Sequence, residues 1–170
     1  FLMRNSNPGW LGTPSASDFS GQTLTGSNGA DKLYGGSGND IFIVNHDDDI
    51  VYESYSGGND LVKSSINYTL GDNVENLTLT GSNGLWGYGN ELDNLIKGTS
   101  GEDYLSGFSG SSDDYLNGSG EDTLIGGDGS DMYGVDSSGD KIIENLSEGY
   151  DSVASSVSYV LPDNVEQLWL

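Results

Sequence analysis

The chain has 170 residues, with 27 Asp plus Glu against 5 Lys plus Arg and a formal net charge of −22. That excess repels nucleic acid and anionic membrane surfaces, and it leaves cations or basic proteins as natural partners. Cys is absent, no signal peptide is visible, and no apolar run approaches the ~20 residues of a membrane span, so disulfide frameworks, thiol chemistry and a spanning helix drop out.

Asp supplies 19 of the acids and Gly another 27 residues, a pairing that suits turns rather than helices. Apolar residues make up 34% of the chain and recur in short regular groups, which argues for a folded chain whose order depends on a counterion.

In chain order, residues 1–23 share no period and read as a linker or the tail of a preceding domain. A nine-residue rhythm then runs through "GSNGADKLY" (26–34), "GGSGNDIFI" (35–43) and "VNHDDDIVY" (44–52), with Asp31, Asp40 and Asp49 nine apart. "ESYSGGNDLV" (53–62) takes eleven residues to reach its next apolar position and reads as an enlarged turn keeping Asp60, with Glu53 a weaker candidate. "SSINYTL" and "NVENLTL" alternate like longer strands. "GSNGLWGYGNELDNLIK" (81–97) keeps glycines but lacks acids at the expected places, and is expected to continue without ions, Asn90 and Asn94 bonding locally.

The rhythm returns in "GTSGEDYLS" (98–106) and, after "GFSGSSDDYL" (107–116) with one extra residue, in "NGSGEDTLI" (117–125), "GGDGSDMYG" (126–134) and "VDSSGDKII" (135–143). A second enlarged turn, "ENLSEGYDSV" (144–153), keeps Asp151, with Glu144 the weaker candidate. Residues 35–79 and 126–170 align without a gap at an offset of 91, about 21 of 45 positions being identical. The reading is therefore a first module over 24–114 and a second, truncated one over 115–170. The start at Phe1 and the stop at Leu170 inside an apolar alternation are those expected of a piece of something longer.

The unit resembles the G-G-x-G-x-D-x-U-x repeat of the RTX (repeats-in-toxin) haemolysin-type calcium-binding family, U being a large apolar residue. Residues 35–43 and 126–134 match it in full, and the resemblance covers roughly residues 24–170. It implies a secreted, Gram-negative bacterial parent protein exported by a type I system.

The chemistry of the unit points the same way. Glycines at positions 1, 2 and 4 let the backbone take positive φ and approach an ion, and the Asp at position 6 adds a short carboxylate. Oxygen donors alone, several from the backbone, suit Ca²⁺; Mg²⁺ wants a smaller octahedron, and Zn²⁺ wants nitrogen or sulfur. Positions 7–9 form a very short strand with U inward. Two units then make one coil of an all-β, right-handed parallel β-roll or β-solenoid, with Asp31 above Asp49 and Asp122 above Asp140. The expected core is one ladder of Leu33, Phe42, Val51, Leu95, Leu105, Leu124, Tyr133 and Ile142.

The candidate metal residues are Gly26, Asn28, Gly29 and Asp31; Gly35, Ser37, Gly38 and Asp40; Asp49; Asp60; Gly98, Ser100, Gly101 and Asp103; Gly107, Ser109 and either Asp113 or Asp114; Asn117, Ser119, Gly120 and Asp122; Gly126, Asp128, Gly129 and Asp131; Asp140; and Asp151. A site at ten times its dissociation constant adds about 1.4 kcal/mol, so six independent sites add on the order of 8 kcal/mol, comparable to a domain's stability. The chain is expected to be largely unfolded without calcium.

Catalysis finds little support. The one His, His46 in "NHDDD", reads as a solvated turn residue, and no H-E-x-x-H, G-x-S-x-G or phosphate-binding loop is present. The expectation is a non-catalytic calcium-binding module supporting secretion, folding and stability of a larger extracellular protein. The alternatives are an adhesin-like or carbohydrate-binding surface using Trp10, Trp86, Tyr88 and Trp169, or the C-terminal part of a secreted hydrolase or lyase.

Overall fold

The structure, a computed structural model, describes residues 10–11, 21–108 and 110–170. Most of the predicted linker 1–23, the side chain of Trp10 and the candidate Ser109 lie outside the described residues.

Strands of two to four residues follow one another with no helix among the described residues. They are β1 Trp10–Leu11, β2 Thr23–Thr25, β3 Lys32–Tyr34, β4 Ile41–Val44, β5 Ile50–Tyr52, β6 Leu61–Ser64, β7 Tyr68–Thr69, β8 Asn76–Leu79 and β9 Trp86–Tyr88. Then come β10 Leu95–Lys97, β11 Tyr104–Ser106, β12 Tyr115–Asn117, β13 Thr123–Ile125, β14 Met132–Val135, β15 Lys141–Ile142, β16 Ser152–Ser155 and β17 Gln167–Trp169. The strands are short because the Gly/Asp turn restarts before the chain can extend further.

All pairings are parallel and join each strand to a strand one coil away. One face is a continuous nine-stranded sheet in the order β17-β16-β14-β12-β10-β8-β6-β4-β2. The opposite face is split into a three-stranded piece, β1-β3-β5, and a five-stranded piece, β15-β13-β11-β9-β7. The result is a parallel β-solenoid of about eight turns, as the nine-residue period predicts. The break in this second face falls where the enlarged turn (53–60) lies between β5 and β7. There Leu70 and Val74 turn into the core, and β7 pairs forward to β9 alone.

The core runs as a ladder along the axis. Leu33, Phe42, Leu105, Leu124 and Tyr133 are fully buried as expected, and Val51 and Ile142 nearly so. Leu95 does not belong to it: it is 43% exposed and Ile96 is the buried residue. The inward side chain is the second after the Asp position, and Asn94 holds that position here, so counting from Asn94 gives Ile96. Val62, Leu77, Leu116 and Val153 extend the ladder, and Val44, Leu79, Val135 and Val165 widen it.

The 91-residue period is visible in the backbone. Ser56 and Ser147 both have positive φ, 56° and 71°, and so do Asn73 and Asn164, at 64° and 65°. The predicted long strand "SSINYTL" instead divides into the end of β6, a bend and β7, while "NVENLTL" yields β8.

Candidate metal centres

The Asp-bearing turns lead their Asp into the core edge just before a strand, where its carboxylate can bridge to the turn one coil back. The Oδ1 of Asp49 accepts the backbone N–H of Asp31 at 2.9 Å, and Asp60 accepts that of Asp40 at 2.7 Å. Asp122 does the same for Asp103, Asp140 for Asp122, Asp131 for Asp114 and Asp151 for Asp131. The acids therefore form columns one coil apart, each buried, as the stacking of Asp31 on Asp49 and of Asp122 on Asp140 predicts.

The two edges treat the second carboxylate oxygen differently. On the edge leaving the nine-stranded face, that oxygen is used by its own turn: Asp49 Oδ2 accepts the N–H groups of Asn45 and His46, and Asp140 Oδ2 those of Asp136 and Ser137. On the edge entering that face, the buried Oδ2 atoms of Asp60, Asp114 and Asp131 have no hydrogen-bond partner. Buried charge without a partner is costly, so such oxygens demand a proton or a cation.

Burial is accordingly the main cause of raised carboxyl pKa values, with neighbouring carboxylates adding to it. Asp60 and Asp122 are pushed up to about 6, and Asp114 and Asp131 to about 7. His46 Nδ1 lies 3.8 Å from a carboxylate oxygen of the exposed Asp48, whose side chain is outside the columns.

The turn glycines are needed for contact. A Cβ on Gly126 would run into Asp131 Oδ2, and one on Gly129, whose φ is +145°, would strike the Ser112 carbonyl of the neighbouring turn. Gly35 and Gly107 press in the same way on Asp40 and Asp114. The donors so assembled are carboxylate and carbonyl oxygens in flexible turns with neither His nor Cys in the columns, and with orphaned oxygens among them. That set fits Ca²⁺.

The structure thus brings Asp31 with Asp49, Asp40 with Asp60, Asp103 with Asp122 and Asp140, and Asp114 with Asp131 and Asp151. It resolves the choice between Asp113 and Asp114: Asp114 is buried, whereas Asp113 is exposed. Asp128, Asn28, Ser100 and Ser119 carry exposed side chains, which leaves their carbonyls as the available donors.

Two column members escaped sequence reasoning. Glu75 Oε2 accepts the N–H of Asp60 at 2.8 Å, and Glu166 Oε2 that of Asp151 at 2.7 Å, each closing a short coil in place of an Asp. Their signal was identity at the 91-residue offset. The expected local bonding of Asn90 and Asn94 is present. Asn94 accepts from Asn90 N–H at 2.7 Å, and Asn90 donates to the carbonyls of Gly71 and Val74.

A model of the RTX calcium-binding nonapeptide repeat (4 copies) matches residues 21–52, 88–119 and 108–133. The chain is 41% identical over 92 residues to the endo-1,3-1,4-beta-glycanase ExsH of Rhizobium meliloti (strain 1021), covering 48% of this chain and 20% of that protein. It is 35% identical over 89 residues to the endo-1,3-1,4-beta-glycanase EglC of the same organism, covering 46% of this chain and 19% of that protein. The chain therefore spans about a fifth of the length of these relatives. No solved structure matches it. With its parallel solenoid and its stacked Asp columns, the chain carries repeats of the RTX calcium-binding nonapeptide type over residues 21–52 and 88–133, and such repeats bind Ca²⁺.

Proposed function

We propose that this chain is a non-catalytic, calcium-folded β-roll that supports the export, folding and stability of a larger extracellular protein. The observation that carries the reading is the column of buried carboxylates in which Oδ2 of Asp60, Asp114 and Asp131 has no hydrogen-bond partner, with no Lys or Arg ion pair to these three acids among the described residues. Bound Ca²⁺ supplies the positive charge that lets neighbouring coils close on one another. The chain's own groups do the rest: Asp49, Asp60, Asp122, Asp131, Asp140 and Asp151 bridge to the preceding turn, and the glycines bring turn carbonyls within reach.

Scarce calcium inside a cell would leave such a chain unfolded and threadable, and millimolar calcium outside would fold it. This is the basis for proposing an extracellular location, a type I exporter as partner and modules over 24–114 and 115–170. The likeness to parts of two named glycanases supports a parent enzyme whose catalytic groups lie elsewhere.

Far-UV circular dichroism during a Ca²⁺ titration after chelation, with Mg²⁺ as control, tests the reading. A cooperative transition to β structure between about 10⁻⁴ and 10⁻³ M Ca²⁺, absent with Mg²⁺, is expected. A spectrum already β-rich in chelator and unmoved by Ca²⁺ would overturn it.

One observation favours a second role as a carbohydrate-binding face. Trp86 and Tyr104 have ring centroids 6.3 Å apart, and Tyr88 and Tyr104 5.9 Å apart, on the outer side of the five-stranded sheet. Glycan binding by the calcium-folded chain that disappears in Trp86→Ala would establish it.

A further inference from the structure

We propose that each 91-residue module carries a divalent-cation site of its own, built by a glutamate outside the nonapeptide pattern: Asp40, Glu53 and Asp60 in the first copy, and Asp131, Glu144 and Asp151 in the second. The inference rests on the calcium reading above and adds a site type to it.

Glu53 and Glu144 open the enlarged turns, at the place where a regular row has its first glycine. Each folds back toward the preceding turn instead of pointing to solvent. In both copies the three carboxylates offer oxygens that all lie within 4.8 Å of one another. Oxygens that close can share one cation, and a set made only of carboxylate oxygens in flexible turns suits Ca²⁺.

An acidic cluster alone would prove little, but four of the six residues bring a buried oxygen with no hydrogen-bond partner. Asp60 is 0% exposed, Asp131 1% and Glu144 8%, and Asp60 Oδ2, Asp131 Oδ2, Glu53 Oε2 and Glu144 Oε2 have no hydrogen-bond partner. The other oxygen of each glutamate is fixed. Glu53 Oε1 accepts the N–H of Gly36 at 3.0 Å, and Glu144 Oε1 accepts the hydroxyl of the fully buried Tyr133. One arm of each glutamate is thus anchored, and the free arm belongs to the cluster.

The family match ends at residue 52 in the first copy and at 133 in the second, so both glutamates and the Asp that follows each lie beyond the matched repeats. The equivalent acids recur at the 91-residue offset, which makes the cluster a feature of the larger module. Three carboxylates in one pocket give these sites a higher charge than the gaps between regular turns, and hence a tighter grip on a divalent ion.

The test counts ions. Native mass spectrometry and calorimetry at saturating Ca²⁺ should find two fewer tightly bound ions in the chain carrying Glu53→Gln and Glu144→Gln than in the parent chain. Circular dichroism reports the fold alongside. If the Gln chain does not reach the β state, Glu53→Asp and Glu144→Asp, which keep the charge and shorten the arm, should reach it and bind those two ions at least tenfold more weakly. An unchanged ion count and unchanged affinities in either pair overturn the inference. A parent chain that binds no Ca²⁺ at all overturns the calcium reading itself, so the two failures are distinguishable.

Discussion

Asp131 shows what one residue contributes. Its Oδ1 bridges to Asp114 and its Oδ2 is left over, so a neutral isostere would keep the bridge and lose the charge. Asp131→Asn is expected to raise the calcium midpoint of folding at least threefold, read by circular dichroism, while adding β structure in chelator. Protons should imitate part of this. The folded-state pKa values of Asp131, Asp114 and Glu53, about 7, and of Glu144, about 9, lie above their ordinary values of 3.8 and 4.5. A raised carboxyl pKa means that the folded chain binds more protons, so its stability is greatest below about pH 4 and is lost as pH rises toward 7 to 9. Calcium-free chain moved from pH 8 to pH 5 should therefore gain β signal and weaken its hold on added Ca²⁺. No gain between those values would contradict the account in which burial, helped by neighbouring carboxylates, raises these pKa values. At this scale most Asp positions were legible, because the nine-residue period fixes them. Glu75 and Glu166 were not, since each stands in the Asp position of a coil only 15 residues long, where the nine-residue count no longer points to it.

Among elements, the coil through Asn94 is the instructive one. Its side-chain amide reaches the carbonyls of Val74 and Glu75 at 3.4 and 3.3 Å, so donor N–H groups stand where other coils present an acid. Asn94→Asp would place a carboxylate against those carbonyls. It should cost about 1–3 kcal/mol of stability at low calcium, as for an unsatisfied buried group, read as a lower thermal midpoint. A midpoint unchanged at low calcium would mean that the coil does not depend on the amide. Turn stacking is as strict: Gly129→Ala sets a Cβ against the Ser112 carbonyl at a φ that favours glycine. A loss of 1–3 kcal/mol is expected even at saturating calcium. The sequence period located the regular strands, yet it misplaced Leu95 and missed the split second face. Both errors arise where a coil departs from two nine-residue units, and a fixed count then drifts by one position.

For the whole molecule, coil length is the variable that matters. Successive strands of the nine-stranded sheet start 15 to 20 residues apart, as Leu61 to Asn76 and Ile41 to Leu61 illustrate. Each coil touches chiefly its neighbours, so stability should spread by nearest-neighbour coupling and the calcium transition should be steep. The parallel architecture and its axis were legible from the period alone. The number of residues per coil was not, because enlarged turns and short coils compensate within one module.

Coil height has a mechanical consequence. From β4 to β14 the chain climbs five coils and uses 91 residues. At about 4.8 Å per coil that climb is roughly 24 Å, whereas the same residues drawn straight would reach about 300 Å. Coiling is therefore a winch with a reduction of roughly twelvefold: each turn that closes reels in some 50–65 Å of slack and advances the tip by under 5 Å. A calcium-rich bath on one side of a narrow opening would make that take-up directional, converting an ion gradient into tension on whatever the strand is still tied to.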